Sequence, residues 1–233
     1  MWDLLIQQAH VVDGSGTPSF VADVAICGDL IAQVGQVPAS QARSIIDGAG
    51  LIVAPGFIDL HTHSDYTLLV NPLAESKVRQ GVTTEVIGNC GTSPAPLGEE
   101  GYPIVRARMA QQYQLEVTWR SFGAYLEHLS EAGVAVNVVP LVGHGTLRGA
   151  VMGYAQRAPT ARELERMQGM LADALAEGAF GLSTGLVYAP GCYAETDEIV
   201  ELAKVVARQG GLYTSHIRGE SDTVLDEIGR AHV

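Results

Sequence analysis

Lysine is almost missing from this chain of 233 residues: only Lys77 and Lys204 occur, and 14 Lys and Arg stand against 26 Asp and Glu for a formal net charge of -12. So acidic a balance excludes non-specific binding to nucleic acid or anionic membranes and mainly favours solubility. Long hydrophobic runs are also lacking. No stretch reaches the roughly 18 apolar residues needed to span a bilayer, and the first residues, Met1 to Ile6, show no basic segment followed by an apolar one. The expectation is a soluble, cytoplasmic protein with no membrane or nucleic-acid partner. Three cysteines, Cys27, Cys90 and Cys192, are too few, odd in number and too widely spaced for a disulfide framework, which leaves reduced thiols, one of them a possible ligand. The chain has no Gly-x-Gly-x-x-Gly or Walker-type loop to support a nucleotide site.

What is present is enough apolar material, 47% of residues, to bury a sizeable core. Residues 1–50 hold short β-like pieces at 4–9, 23–27 and 30–34, broken by turn signals at Asp13-Gly14 and Gly28-Asp29, and read as part of a small β-sandwich domain. From residue 51 the pattern changes to apolar runs at 51–60, 82–88, 134–142, 180–186 and 212–217. Between the later runs, residues 160–177 place Leu164, Met167, Leu171 and Leu175 at helical spacing, and residues 197–209 behave likewise. Gly178 and Gly210 stand where helices end. Strand alternating with helix predicts an α/β domain with a parallel sheet and right-handed crossovers.

The polar residues decide between sheet types. Residues 55–63 read Pro-Gly-Phe-Ile-Asp-Leu-His-Thr-His, so the first run, with Ile58 and Leu60 patterned as a buried strand, ends on two imidazoles one residue apart. Alternation along a strand points His61 and His63 the same way. Converging imidazoles are common ligands of zinc and similar ions. Asn89 and Cys90 follow the second run, His144 the third, Ser183 and Thr184 the fourth, and His216 the fifth. Five strands in succession each ending in chemistry favour a (β/α)8 TIM barrel, whose active sites gather at strand C-termini, over an open sheet with a single switch point.

These residues carry a resemblance. His61-x-His63, Gly88-Asn-Cys-Gly-Thr-Ser-Pro-Ala-Pro96, Val142-Gly-His-Gly-Thr-Leu-Arg148, Gly181-Leu-Ser-Thr-Gly-Leu-Val-Tyr188 and Thr214-Ser-His-Ile-Arg-Gly-Glu220 resemble the D-aminoacylase (N-acyl-D-amino-acid deacylase) branch of the metal-dependent amidohydrolase superfamily, collinearly from residue 1 to about 226. The resemblance implies zinc-dependent hydrolysis of the amide bond of small N-acyl-D-amino acids, with one or two zinc ions. It assigns His61 and His63 to one metal position, and Cys90 with His216 to a second, tighter one. Cys90 then stands in for the carbamylated lysine of hydantoinases and dihydroorotases, and the fourth run indeed has no lysine. Tyr188, Arg218 and His144 are candidates for substrate contact; a satisfied histidine that orients a ligand is the other reading of His144, loop packing that of Tyr188, and a structural ion pair that of Arg218. His10 and His128 read as bystanders.

The family's general acid/base, an aspartate after the eighth strand, and a further zinc-ligand histidine after the sixth have no counterpart in this chain, so no catalytic residue is assigned. The expectation is a barrel truncated after about five strands, occupying residues 51–226. Residues 227–233, Glu-Ile-Gly-Arg-Ala-His-Val, back-translate to a common sequencing-library adapter read in frame, and are set aside with His232. The parent reads as an enzyme and the fragment as incomplete and inactive. A cyclic amidase or a non-catalytic metal-binding remnant are the alternative readings.

Overall fold

The computed structural model describes residues 1–222 together with 224 and 225; residues 227–233 lie outside that set. The chain divides into two compact units, Met1–Gly56 and Phe57–Val233.

The first unit is one mixed sheet of β1 (Trp2–Val11), β2 (Phe20–Cys27), β3 (Leu30–Gly35), β4 (Ala42–Asp47) and β5 (Ile52–Val53). β1, β2 and β3 form an antiparallel meander. The free edge of β1 is shared by two parallel partners, β4 along its first half and β5 at His10 and Val11. Leu5, Ala25 and Val37 form one small buried cluster, and Val11, Ala22 and Val24 another. Leu30, Ile31, Ile45, Ile46 and Ile52 remain exposed. Strand β4 carries no strict alternation of apolar residues, which is why the sequence pattern passed over it.

The second unit holds β6 (Phe57–Asp59), β7 (Val82–Ile87), β8 (Asn137–Gly143), β9 (Gly181–Gly185) and β10 (Leu212–His216), in the spatial order β10-β9-β8-β7-β6 with every neighbouring pair parallel. Sequential order without reversal is how a barrel winds, whereas a doubly wound sheet reverses at a switch point. The five strands are therefore a half-barrel. Its helices are α1 (Thr67–Val70), α2 (Glu75–Val78), α3 (Gly101–Tyr113), α4 (Phe122–Ala132), α5 (His144–Met152), α6 (Ala161–Ala176) and α7 (Thr196–Arg208). Met167 and Leu171 of α6, Leu202 and Val206 of α7, Val142 of β8 and Leu182 of β9 share one core.

Two expectations need correction. The run at 51–60 is not one strand: Pro55-Gly56 divides it, Ile52–Val53 completes the edge of β1, and only Phe57–Asp59 enters the barrel sheet. The division into compact units falls after Gly56. Ile58 and Leu60, patterned as buried, are 59% and 71% exposed, because β6 pairs only with β7 among the described residues and forms an edge.

Helix α6 shows how local sequence fixes an element. The Thr160 hydroxyl accepts from the Glu163 amide at 3.3 Å while the Glu163 carboxylate accepts from the Thr160 amide at 2.7 Å, a reciprocal capping box. Arg157 adds two bonds of 2.7 Å to the same carboxylate and holds its pKa well below the usual range. Thr160→Ala should lower unfolding free energy by about 1 kcal/mol, read as a lower urea midpoint at unchanged slope, with Thr160→Ser retaining most of it.

Glycines set the top of the sheet. The turn after β7 lays Cys90 on the backbone of Gly185 so closely that a Cβ on Gly185 would overlap the Cys90 carbonyl. Gly91, at φ 73, approaches the Gly185 amide from the same turn, and a Cβ on Gly143 would come within 2.5 Å of the Gly91 carbonyl. Gly185→Ala should cost about 2 kcal/mol or more through overpacking, and a midpoint equal to that of the parent chain would show that the turn can withdraw.

Candidate metal centre

Beyond Asp59 the chain leaves β6, and the turn carries His61 and His63 with ring centroids 5.3 Å apart. Thr62 between them is pinned to β7: its amide and its hydroxyl both donate to the Val86 carbonyl, at 3.2 and 2.9 Å. From the end of β7, Cys90 places Sγ 3.1 Å from His61 Nε2. The ligand atoms of His61, His63 and Cys90 all lie within 4.8 Å of one another. A tetrahedral zinc with bonds of about 2.0–2.3 Å separates its ligands by roughly 3.3–3.8 Å, so small side-chain adjustments suffice, and two imidazoles with a thiol are a donor set suited to zinc. Burial, then the charges of His61 and His216, pull the His63 pKa down, favouring the neutral ring that a metal requires. Burial pushes the Cys90 thiol up.

Cys90 itself adopts φ 54, a left-handed conformation rare for non-glycine residues and costing about 1 kcal/mol. Ser183 of β9 holds the turn at both ends, accepting from the Gly91 amide at 3.0 Å and donating to the Gly88 carbonyl. Asp65 holds it from below, accepting from the Gly88 amide at 2.7 Å; burial raises this carboxyl to about 6. The sequence reading missed Asp65. The alternation through 61 and 63 reaches it next, and that is the signal that could have found it. Glu85, fully buried, accepts from Ser64 at 2.5 Å and lies 3.9 Å from Lys77, which also binds Asp59 at 2.6 Å.

The remaining candidates fall differently. His216 ends β10 in register with Gly185, its ring perpendicular to that of Tyr188 at 5.2 Å and its Nε2 3.3 Å from Glu220. It is near enough to act on His63 but is not part of the group in which the ligand atoms of His61, His63 and Cys90 all lie close to one another. Tyr188 lines a cavity of about 270 Å³ together with Cys90, Tyr66, Arg108, Thr146 and Tyr154. His144 does not face that cavity. It opens α5, is fully buried, and pairs through Nε2 with Glu198 of α7 at 2.8 Å. Arg218, a candidate for substrate contact, donates to the Ala194 carbonyl at 2.9 Å and has no carboxylate partner among the described residues.

The amidohydrolase family matches residues 44–219. A D-aminoacylase of Alcaligenes xylosoxydans xylosoxydans is 41% identical over 226 residues, covering 96% of this chain and 46% of that protein. An N-acyl-D-glutamate deacylase of the same organism is 43% identical over 229 residues, covering 97% and 46%. Among solved structures, the N-acyl-D-glutamate deacylase from Bordetella bronchiseptica, complexed with zinc and a phosphonate mimic of the tetrahedral intermediate, superposes with a TM-score of 0.89 at 41% identity, over 98% of this chain and 48% of that one. The chain spans about half the length of the curated relatives it matches. On the strength of these matches, and of strand-end donors set on a half-barrel, the chain belongs to the amidohydrolase family.

Proposed function

We propose that this chain is the metal-bearing part of a zinc-dependent hydrolase that cleaves the amide bond of N-acyl-D-amino acids. The observation that carries the reading is the convergence of His61, His63 and Cys90 beside an open cavity at the C-terminal ends of parallel strands. These three residues would hold the zinc, with His216 supplying a further nitrogen from β10. When bound, the ion acidifies water and polarises the scissile carbonyl. The chain's own residues orient the donors: Thr62 fixes the histidine turn, Ser183 and Asp65 fix the cysteine turn, and Tyr188 offers a phenol at the cavity wall. A linear-amide hydrolase is favoured over a cyclic amidase by the thiol at Cys90 together with a β9 that contains no lysine.

The five strands would be part of an eight-stranded barrel, and the exposed apolar residues of the first unit would be covered by a second sheet layer. The span of the chain relative to its relatives and the open edges at β6 and β10 among the described residues support both. The 233-residue chain alone would then have little turnover and a tendency to associate through those edges.

Cobalt titration of the chain should produce a thiolate-to-metal charge-transfer band that Cys90→Ala abolishes, and His61→Ala should weaken uptake by more than about 100-fold. An unchanged spectrum in Cys90→Ala would remove the thiol from the site. The full-length parent should release free D-amino acid from N-acyl-D-amino acids only with metal present. Ring opening of hydantoins without deacylation would move it to the cyclic amidases, and appreciable deacylation by residues 1–233 alone would overturn the incompleteness.

A further inference from the structure

A second polar cluster lies beneath the cysteine turn and takes no part in the chemistry above. His144, Arg148 and Glu198 are buried to 0%, 0% and 4% exposure. One Glu198 oxygen accepts from His144 Nε2 at 2.8 Å and the other pairs with Arg148. Arg148 also donates to the carbonyls of Ala155 and Arg157, at 3.3 and 3.0 Å. Burial drives the Glu198 carboxyl up, but His144 and Arg148 outweigh it and hold the group below its ordinary range, so it stays ionised. Because the carboxylate can only accept, Nε2 carries the proton of that bond, while Nδ1 has no hydrogen-bond partner among the described residues.

The position of His144 gives the cluster a use. It is the first residue of α5, and the first turn of that helix grips the cysteine turn: the Thr146 amide donates to the Gly91 carbonyl at 3.2 Å, and Thr146 Oγ1 accepts from the Ser93 amide at 2.9 Å. On the other side of the helix start, the Gly143 amide donates to Ser93 Oγ at 2.9 Å. The loop bearing Tyr188 returns against the same ring, since a Cβ on Gly191 would lie 3.7 Å from His144 Nδ1 and 2.7 Å from the Gly185 carbonyl. Gly185 is the residue on which Cys90 rests. His144 thus touches both elements that clamp Cys90, while being fixed from α7.

We infer that His144 is a positioning residue for the Cys90 turn: its bond to Glu198 sets the start of α5, and α5 in turn sets where Sγ meets His61 and His63. The metal consequence rests on the reading of that cluster as a zinc site; the positioning itself does not. In the metal-free chain, His144→Ala should speed hydrogen exchange at the Thr146 and Gly91 amides at least about tenfold, whereas Leu171→Ala, a cavity variant in the α6 core, should leave those two amides unchanged at temperatures where both variants are fully folded by circular dichroism. Cobalt affinity should fall about 10- to 100-fold in His144→Ala, recover to within about threefold in His144→Gln, whose amide can still donate to Glu198, and stay at the parent value in Leu171→Ala. Equal effects of His144→Ala and Leu171→Ala, or no local change in exchange, would overturn the inference and reduce the triad to general packing. If His144→Ala does not fold, Thr146→Val, which removes the two hydroxyl bonds to the Ser93 amide and carbonyl, should show the same local exchange and affinity loss; parent-like behaviour there would also overturn it. Absence of cobalt uptake by the parent chain would sink the zinc reading instead, with the exchange result still deciding the role of His144.

Discussion

Everything at the top of the half-barrel depends on a place where backbone lies on backbone. Cys90 can present its sulfur beside His61 only because the turn that carries it sinks onto β9, and it can sink there only because Gly185, Gly91 and Gly143 leave no Cβ in the way. The contact is short-range and steep, so it fixes position far more sharply than hydrophobic burial could. Burial drives the sheet to pack against its helices; the glycine contacts decide where one thiol ends up. The left-handed backbone at Cys90 is a local cost accepted in exchange, and the bonds from Ser183 and Asp65 to the flanking glycines hold it against relaxation.

The buried acids follow a common plan. Asp65, Glu85 and Glu198 are each withdrawn from solvent in a chain already rich in negative charge, and each meets donors that fix a strand-end segment: the Gly88 amide, Ser64 with Lys77, and His144 with Arg148. Buried pairs of this kind add little net stability, since desolvation roughly cancels attraction, but breaking one strands a charge. Their value here is directional. A carboxylate with two oxygens can tie two separate segments in fixed geometry, as Glu198 does for the start of α5 and, through Arg148, for the carbonyls of Ala155 and Arg157.

Much of this was legible in the sequence because it rests on periodicity or on residues whose chemistry is unusual. The helices at 161–176 and 196–208 show in the spacing of Leu164, Met167 and Leu171 and in the glycines that follow, and the strand-end positions of His61, His63 and Cys90 show in the order of apolar run and polar residue. What escaped has a physical reason in each case. Strand β4 pairs on an exposed layer and carries no alternation to read; the break at Pro55-Gly56 lies inside a run that is apolar throughout. His144 was placed at a strand end by its neighbours, yet its partner is 54 residues away, and sequence order does not tell which histidine turns outward to a cavity and which inward to a glutamate.

The two sides of the candidate metal centre also differ in stiffness. His61 and His63 hang from β6, a three-residue edge strand with Phe57 and Ile58 exposed, tied mainly through Thr62 and through the Lys77 bridge to Asp59. Cys90 sits on the opposite side, locked between β8 and β9. An ion bound by all three would therefore crosslink a soft element to a rigid one, and its binding energy would appear partly as stability of the edge strand. A site wholly on rigid elements would hold its geometry without the ion; this one has its anchor in the cysteine turn and its adjustable half in the histidine turn. That division assigns the precision of the site to Cys90 and to the groups beneath it, and leaves the histidines to close on whatever the thiol has already placed.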